Sequence, residues 1–127
     1  MGESSWVRVC ASERIIPERA VAALAADGVQ VAVVRTAADE LFAVGHHDPY
    51  ALANVMARVV VGTRTVDGQT YDVIQSPLYK QAFDLRTGED VADRDVSVGT
   101  WQVRERDGVV ELGAQVNAAR LPDKTSR

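Results

Sequence analysis

The sequence predicts an all-β fold, and two features carry that expectation. Short runs rich in Val, Ile, Thr or aromatic residues, the side chains that suit a pleated half-buried surface, follow one another along the chain. Between them fall Asp27-Gly28, Asp67-Gly68 and Asp107-Gly108, and an Asp-Gly pair supplies the positive φ angles that a tight hairpin turn requires.

In chain order, "SWVRVCA" (5–11) reads as the first strand. The next stretch supports two readings. In "IPERAVAALAAD" (16–27), Pro17, the acidic Glu18 and the alanines favour a helix, yet with "GVQVAVVRT" the same residues make two strands around Asp27-Gly28. "LFAVGH" (41–46) is a strand that runs into the polar "GHHDPY" (45–50), where Asp48 opens a turn ahead of Pro49. "PYALANVMAR" (49–58) is expected to be one short helix, because Leu52, Val55 and Met56 fall on one face.

"ARVVVGTRTV" (57–66) and "QTYDVIQS" (69–76) flank Asp67-Gly68 as a hairpin, "QAFDLRT" (81–87) follows, and "TWQVRER" (100–106) with "GVVELG" (108–113) flank Asp107-Gly108. The three Asp-Gly pairs do not mark a repeat, since their flanks differ. After Gly113 the chain turns polar, so residues 6–114 are expected to form the domain and 115–127 a flexible tail, or one helical turn ahead of Pro122.

The chain of 127 residues suits one domain that needs no staples. A net charge of -4 leaves no broad basic face, which argues against a nucleic-acid partner. Cys10 is the single cysteine, so no internal disulfide forms, as suits a reducing compartment. No segment has a leader pattern or the roughly 20 apolar residues of a membrane span. A cytoplasmic protein is expected.

Few side chains promise chemistry. His46, His47 and Asp48 are possible metal ligands, but neighbours on an extended chain point to opposite faces, and the chain has no other histidine. Ser76 lacks the strand-to-helix setting of a nucleophile, and the glycines are scattered rather than gathered into a phosphate loop. Trp6, Trp101, Phe42 and Phe83 sit in alternating runs and are expected in the core.

Taken together, "LFAVGHHDPYALANVMARVVVG" and "IQSPLYKQAFDLRTG" resemble the two ligand loops of a Rieske [2Fe-2S] domain, whose motifs are Cys-x-His and Cys-x-x-His. The frame is present and the ligands are not. Asp48 and Tyr50 stand where the first cysteine and histidine would be, and Ser76 and Tyr79 where the second pair would be. Such a cluster takes two thiolates on one iron and two imidazoles on the other. A phenol with a reference pKa near ~10 and a serine hydroxyl are both protonated at neutral pH, and one aspartate cannot replace four ligands.

The ligand-free variant, with "FAVGHHDPY", "NVMARVVVG", "SPLYKQAFDLRTGE" and "VRERDGVVEL" across residues 6–114, is similar to the small-subunit family of bacterial assimilatory NAD(P)H-dependent nitrite reductases. The resemblance implies a Rieske-like antiparallel β-sandwich with the former ligand loops at one tip and no cluster. It implies an accessory, non-catalytic subunit that binds and supports the large subunit of an enzyme reducing nitrite to ammonium in nitrate assimilation. Sirohaem, a [4Fe-4S] cluster, FAD and the NAD(P)H site belong, by the same resemblance, to the large subunit. The expected contact surface is the tip formed by His47, Asp48, Pro49, Tyr50, Ser76, Pro77, Leu78, Tyr79 and Lys80, since loops on a rigid scaffold commonly carry binding. Two other classes compete: an electron-transfer protein with an atypical metal site at His46, His47 and Asp48, and a stand-alone interaction module.

Overall fold

A computed structural model describes residues 6–48, 53–54, 60–76 and 81–122. It is built from β1 (Val7–Ala11), β2 (Arg19–Leu24), β3 (Gln30–Arg35), β4 (Leu41–Gly45), β5 (His47–Asp48), β6 (Ala53–Asn54), β7 (Val60–Val66), β8 (Gln69–Gln75), β9 (Ala82–Asp84), β10 (Glu89–Asp90), β11 (Asp93–Ser97), β12 (Thr100–Arg106) and β13 (Val109–Asn117). One sheet has the order β1-β13-β12-β4-β3-β2, a second β11-β10-β9-β8-β7, and β5 pairs with β6 alone. Each strand pairing is antiparallel.

The continuous run Val31-Ala32-Val33-Val34 explains how the layers stack. All four residues are fully buried, as expected of a strand covered on both faces. Ala32 and Val34 join Val44, Val61, Ile74, Phe83 and Val96 in a cluster shared by the two sheets. Val31 and Val33 face the other way and join Ile15, Ala43, Trp101, Val110 and Leu112, a second cluster formed within the six-stranded sheet as it curls on itself. Register shifts between Thr100 and Trp101 and between Trp101 and Val103 accompany that curl.

Within residues 17–27 the chain forms a strand at Arg19–Leu24, with turns on either side. β2 pairs with β3 from Arg19↔Arg35 to Leu24↔Gln30. Glu18 has φ 64 and donates its N–H to the Arg35 carbonyl at 2.7 Å, a conformation that no first helical turn allows. Alanine's helix preference is worth only tenths of a kcal/mol per residue, about 0.7 at most, and the ladder to the buried β3 outweighs it.

Each of the three Asp-Gly pairs closes a hairpin. Asp67 and Gly68 (φ 52 and 79) and Asp107 and Gly108 (φ 53 and 75) make two-residue turns with both φ angles positive. Asp27 differs, because its turn spans residues 25–29: Gly28 alone takes the positive φ, and the Asp27 carboxylate accepts the Val29 N–H at 3.0 Å.

Two sequence expectations are corrected. The helix proposed for 49–58 does not run through Ala53 and Asn54, which are extended and pair with Asp48 and His47; its remaining residues, 49–52 and 55–58, lie outside the described ones. The segment from 115 is neither loose nor helical as far as Pro122, because β13 continues to Asn117, whose amide donates to Thr100 Oγ1 at 2.9 Å. Arg120 then bridges Ser97 through two backbone hydrogen bonds of 2.9 Å, and its guanidinium reaches Glu89 Oε2 and the Arg94 and Asp95 carbonyls. Loss of alternation was misleading there, since Ala114, Gln115 and Val116 are all exposed strand residues.

The core expectation holds for Trp101 and Phe83, both buried. Trp6 and Phe42 are half-buried instead, lying beneath the guanidinium groups of Arg104 at 3.9 Å and Arg86 at 5.0 Å. Arg35 is buried and donates to the Ile15 and Ser12 carbonyls, Ser12 Oγ and Asp39, tying the 3-10 turn at Ser12–Arg14 to the sheet.

Candidate functional site

The two loops singled out by sequence leave one part of the core. Val44, two residues before His46, and Ile74, two residues before Ser76, belong to the same buried cluster. The first loop begins where β4 ends. His46 is buried, with its backbone N–H on the Gln30 carbonyl at 3.2 Å, and His47 is exposed. The histidines thus occupy opposite environments, as the extended chain predicts. β5 and β6 form the stem, with His47↔Asn54 and Asp48↔Ala53 in register. Pro49 and Tyr50 lie outside the described residues.

The second loop is bracketed by Ser76 and Gln81, joined by the Ser76 N–H to Gln81 carbonyl bond of 2.8 Å. Ser76 is 1% exposed, so its expected place on the contact surface is corrected: it is a buried stem residue. Pro77, Leu78, Tyr79 and Lys80 lie outside the described residues.

The remainder of the motif, "FDLRTG", acts as a structural turn. Phe83 and Leu85 fill the core. Asp84 Oδ1 accepts the Arg86 N–H at 3.0 Å, its carbonyl accepts the Gly88 N–H at 2.7 Å, and Oδ2 pairs with Arg94 at 3.2 Å. Burial works against the Arg94 guanidinium, but Asp84, with Glu89 and Tyr71, outweighs it and raises its pKa above the ordinary arginine value. Thr87 Oγ1 accepts the Glu89 N–H at 3.2 Å. Pattern reading offered no signal for the role of Asp84, because a carboxylate in a turn usually faces water.

Glycines lock this turn to the first loop. A Cβ on Gly45 would overlap the Val98 carbonyl oxygen, and the Gly45 N–H donates to the Gly99 carbonyl at 3.1 Å. A Cβ on Gly88, at φ 81, would lie 2.9 Å from the Gly99 oxygen. The end of β4, the turn before β10 and the turn before β12 therefore approach with no room for side chains.

Comparison with known proteins places this geometry. A family model described as "Rieske-like [2Fe-2S] domain" matches residues 5–113. The chain is 36% identical over 110 residues to "Nitrite reductase (NADH) small subunit" of Escherichia coli (strain K12), covering 86% of this chain and 97% of that protein. A crystal structure assigned as an NADH-dependent nitrite reductase small subunit from Mycobacterium tuberculosis superposes with a TM-score of 0.79 at 36% identity, over 91% of this chain and 99% of that one. "Nitrite reductase [NAD(P)H] large subunit" of Klebsiella oxytoca is 30% identical over 115 residues, which are 91% of this chain and 11% of that protein.

The donor set does not fit the [2Fe-2S] cluster that the family description names. The single cysteine, Cys10, stands on β1 and packs against the curl of the six-stranded sheet, away from the loop stems. Such a cluster needs two thiolates and the chain has one cysteine, while Ser76 offers only a hydroxyl. Beside it, Gln81 Oε1 is buried with no hydrogen-bond partner among the described residues. An amide oxygen there calls for an N–H or O–H donor, not for sulfide. Among the described residues no three His, Cys, Asp or Glu side chains gather as metal ligands, and no helix is long and apolar enough to cross a membrane.

Proposed function

The chain belongs to the nitrite reductase small-subunit family within the Rieske-like domains, and from that premise we propose that it is the accessory small subunit of an NAD(P)H-dependent nitrite reductase. It binds and supports the catalytic large subunit in reducing nitrite to ammonium, has no redox centre of its own, and is inactive alone. The observation that carries this reading is the match across 97% of the Escherichia coli small subunit, with a donor set that cannot hold the cluster. FAD, sirohaem, the [4Fe-4S] cluster and the NAD(P)H site are assigned to the large subunit, and the complex to the cytoplasm.

Asp48, Tyr50, Ser76 and Tyr79 are the former ligand positions in this reading, with the two phenol rings filling the space a cluster would take. His47 and Lys80 present polar groups to the large subunit from the tip, together with the Pro49 and Pro77 turns.

The test is direct. The purified chain is expected to be colourless, free of stoichiometric iron and acid-labile sulfide, and without nitrite turnover. It should co-purify with the large subunit and alter that subunit's turnover or stability when added. A visible absorption band from iron in the isolated chain rejects the absence of a redox centre, and failure to bind rejects the subunit role.

A further inference from the structure

We propose that the end of the six-stranded sheet carrying Leu24, Val29 and Val116 is a docking face for an apolar surface of the nitrite reductase large subunit, an inference that rests on the subunit assignment above.

Among the described residues, the exposed large hydrophobic side chains are Ile16, Leu24, Val29, Val116 and Leu121. Leu24, Val29 and Val116, at 57%, 43% and 61% exposure, come to one end through strand register. Leu24↔Gln30 closes the β2–β3 hairpin, Val31 pairs with Gly45 at the end of β4, and Gln115 pairs with Trp101 at the start of β12. This is the end of the sheet at which β4 stops at Gly45 and the chain passes into the first loop.

Two clefts flank the hairpin. The outermost strands β1 and β2 do not pair, and Val7, Val9, Ala22 and Leu24 line a cleft of about 420 Å³ between them. On the other side, Ala25, Ala26, Trp101 and Ala114 line one of about 270 Å³. Arg8 and Gln30 also line the first cleft, and Asp27 and Gln115 the second; outermost strands beside such largely apolar clefts suit an extended segment laid along them. Among Leu24 to Val29 the only charge is Asp27, so the matching surface is apolar.

The occupant is argued from the Klebsiella oxytoca protein, in which a region similar to 91% of this chain is part of the large-subunit polypeptide itself. A domain tethered there meets the rest of that subunit in every molecule, whereas it meets a second copy only on dimerisation.

The experiment measures affinity for the cofactor-loaded large subunit with wild type, the double variant Leu24→Asp/Val29→Asp, the milder Leu24→Ser, and the control Ile16→Asp, which sits at the opposite end beside the Asp39 and Gly108 turns. Exposed positions keep the fold intact, and circular dichroism verifies it. The double variant is expected to bind at least about tenfold more weakly, Leu24→Ser to fall between, and Ile16→Asp to match wild type. Wild-type affinity in the double variant overturns this inference alone. Absence of binding by wild type overturns the subunit assignment instead. Sedimentation that shows a wild-type homodimer abolished by Leu24→Asp/Val29→Asp, with large-subunit affinity unchanged, assigns the face to a second copy and overturns the inference as well.

Discussion

Replacing three glycines singly by alanine separates backbone strain from steric overlap. Gly68 has φ 79 and nothing within 4 Å of a new Cβ; Gly45 has overlap without a left-handed φ; Gly88 has both. Left-handed strain on a residue with a Cβ costs about 1–2 kcal/mol. Forcing atoms into a filled site costs about 1–3 kcal/mol, with Gly45 at the upper limit because the opposing atom is a backbone carbonyl held in the junction. An unfolding entropy of about 2.1 cal/mol/K per residue makes each kcal/mol about 4 °C in Tm for a chain of this length. Gly68→Ala should therefore lower Tm by about 4–8 °C, Gly45→Ala by about 11 °C, and Gly88→Ala by about 8–19 °C. Calorimetric melts of the isolated chain provide the measurement, with large-subunit affinity as a second readout. Gly45→Ala should also weaken binding by moving the first loop, and Gly68→Ala should not. Equal losses for Gly68→Ala and Gly88→Ala, or a Gly45→Ala melt within about 2 °C of wild type, would refute the close approach at this junction.

Other substitutions probe the scaffold and the second loop. Arg35→Ala strands the Ser12 and Ile15 carbonyls and should cost about 3 kcal/mol in urea unfolding, with Arg35→Lys recovering part; a loss under about 1 kcal/mol would mean water replaces the guanidinium. Asp84→Asn keeps an acceptor for the Arg86 N–H and should lose about 1 kcal/mol or less, since Arg94 is partly exposed, whereas Asp84→Ala should lose about 2–3 kcal/mol. Equal losses for the two would remove the turn-capping role of Asp84. Tyr79→Ala should lower stability by about 3 kcal/mol if the ring fills the former cluster space, and a loss well under 1 kcal/mol would place it in solvent.

The fold was legible where side-chain pattern and turn chemistry agree. Asp67-Gly68 and Asp107-Gly108 announced their hairpins because few other pairs tolerate two positive φ angles in succession. "AVAALAAD" was ambiguous because alanine suits both a helix and a strand flanked by a buried neighbour, and only the pairing to β3 decides. Ala53 and Asn54 misled because a helical spacing of apolar residues also fits a hairpin stem too short to show alternation. At the site, the mismatch of ligands could be read from residue types alone. The burial of Ser76 and the inward use of Asp84 could not, since both depend on how distant strands close over them.

The link between Arg120 and Ser97 bears on how the free chain behaves before it finds its partner. β11 is the last strand of its sheet, and its outward amides and carbonyls are a template on which a second molecule could add. The Arg120 backbone occupies both Ser97 groups, and its guanidinium takes the Arg94 and Asp95 carbonyls. The Arg120 bridge thereby covers the Ser97 position of that margin, and a version cut after Asn117 would keep its core but leave the edge open to strand addition.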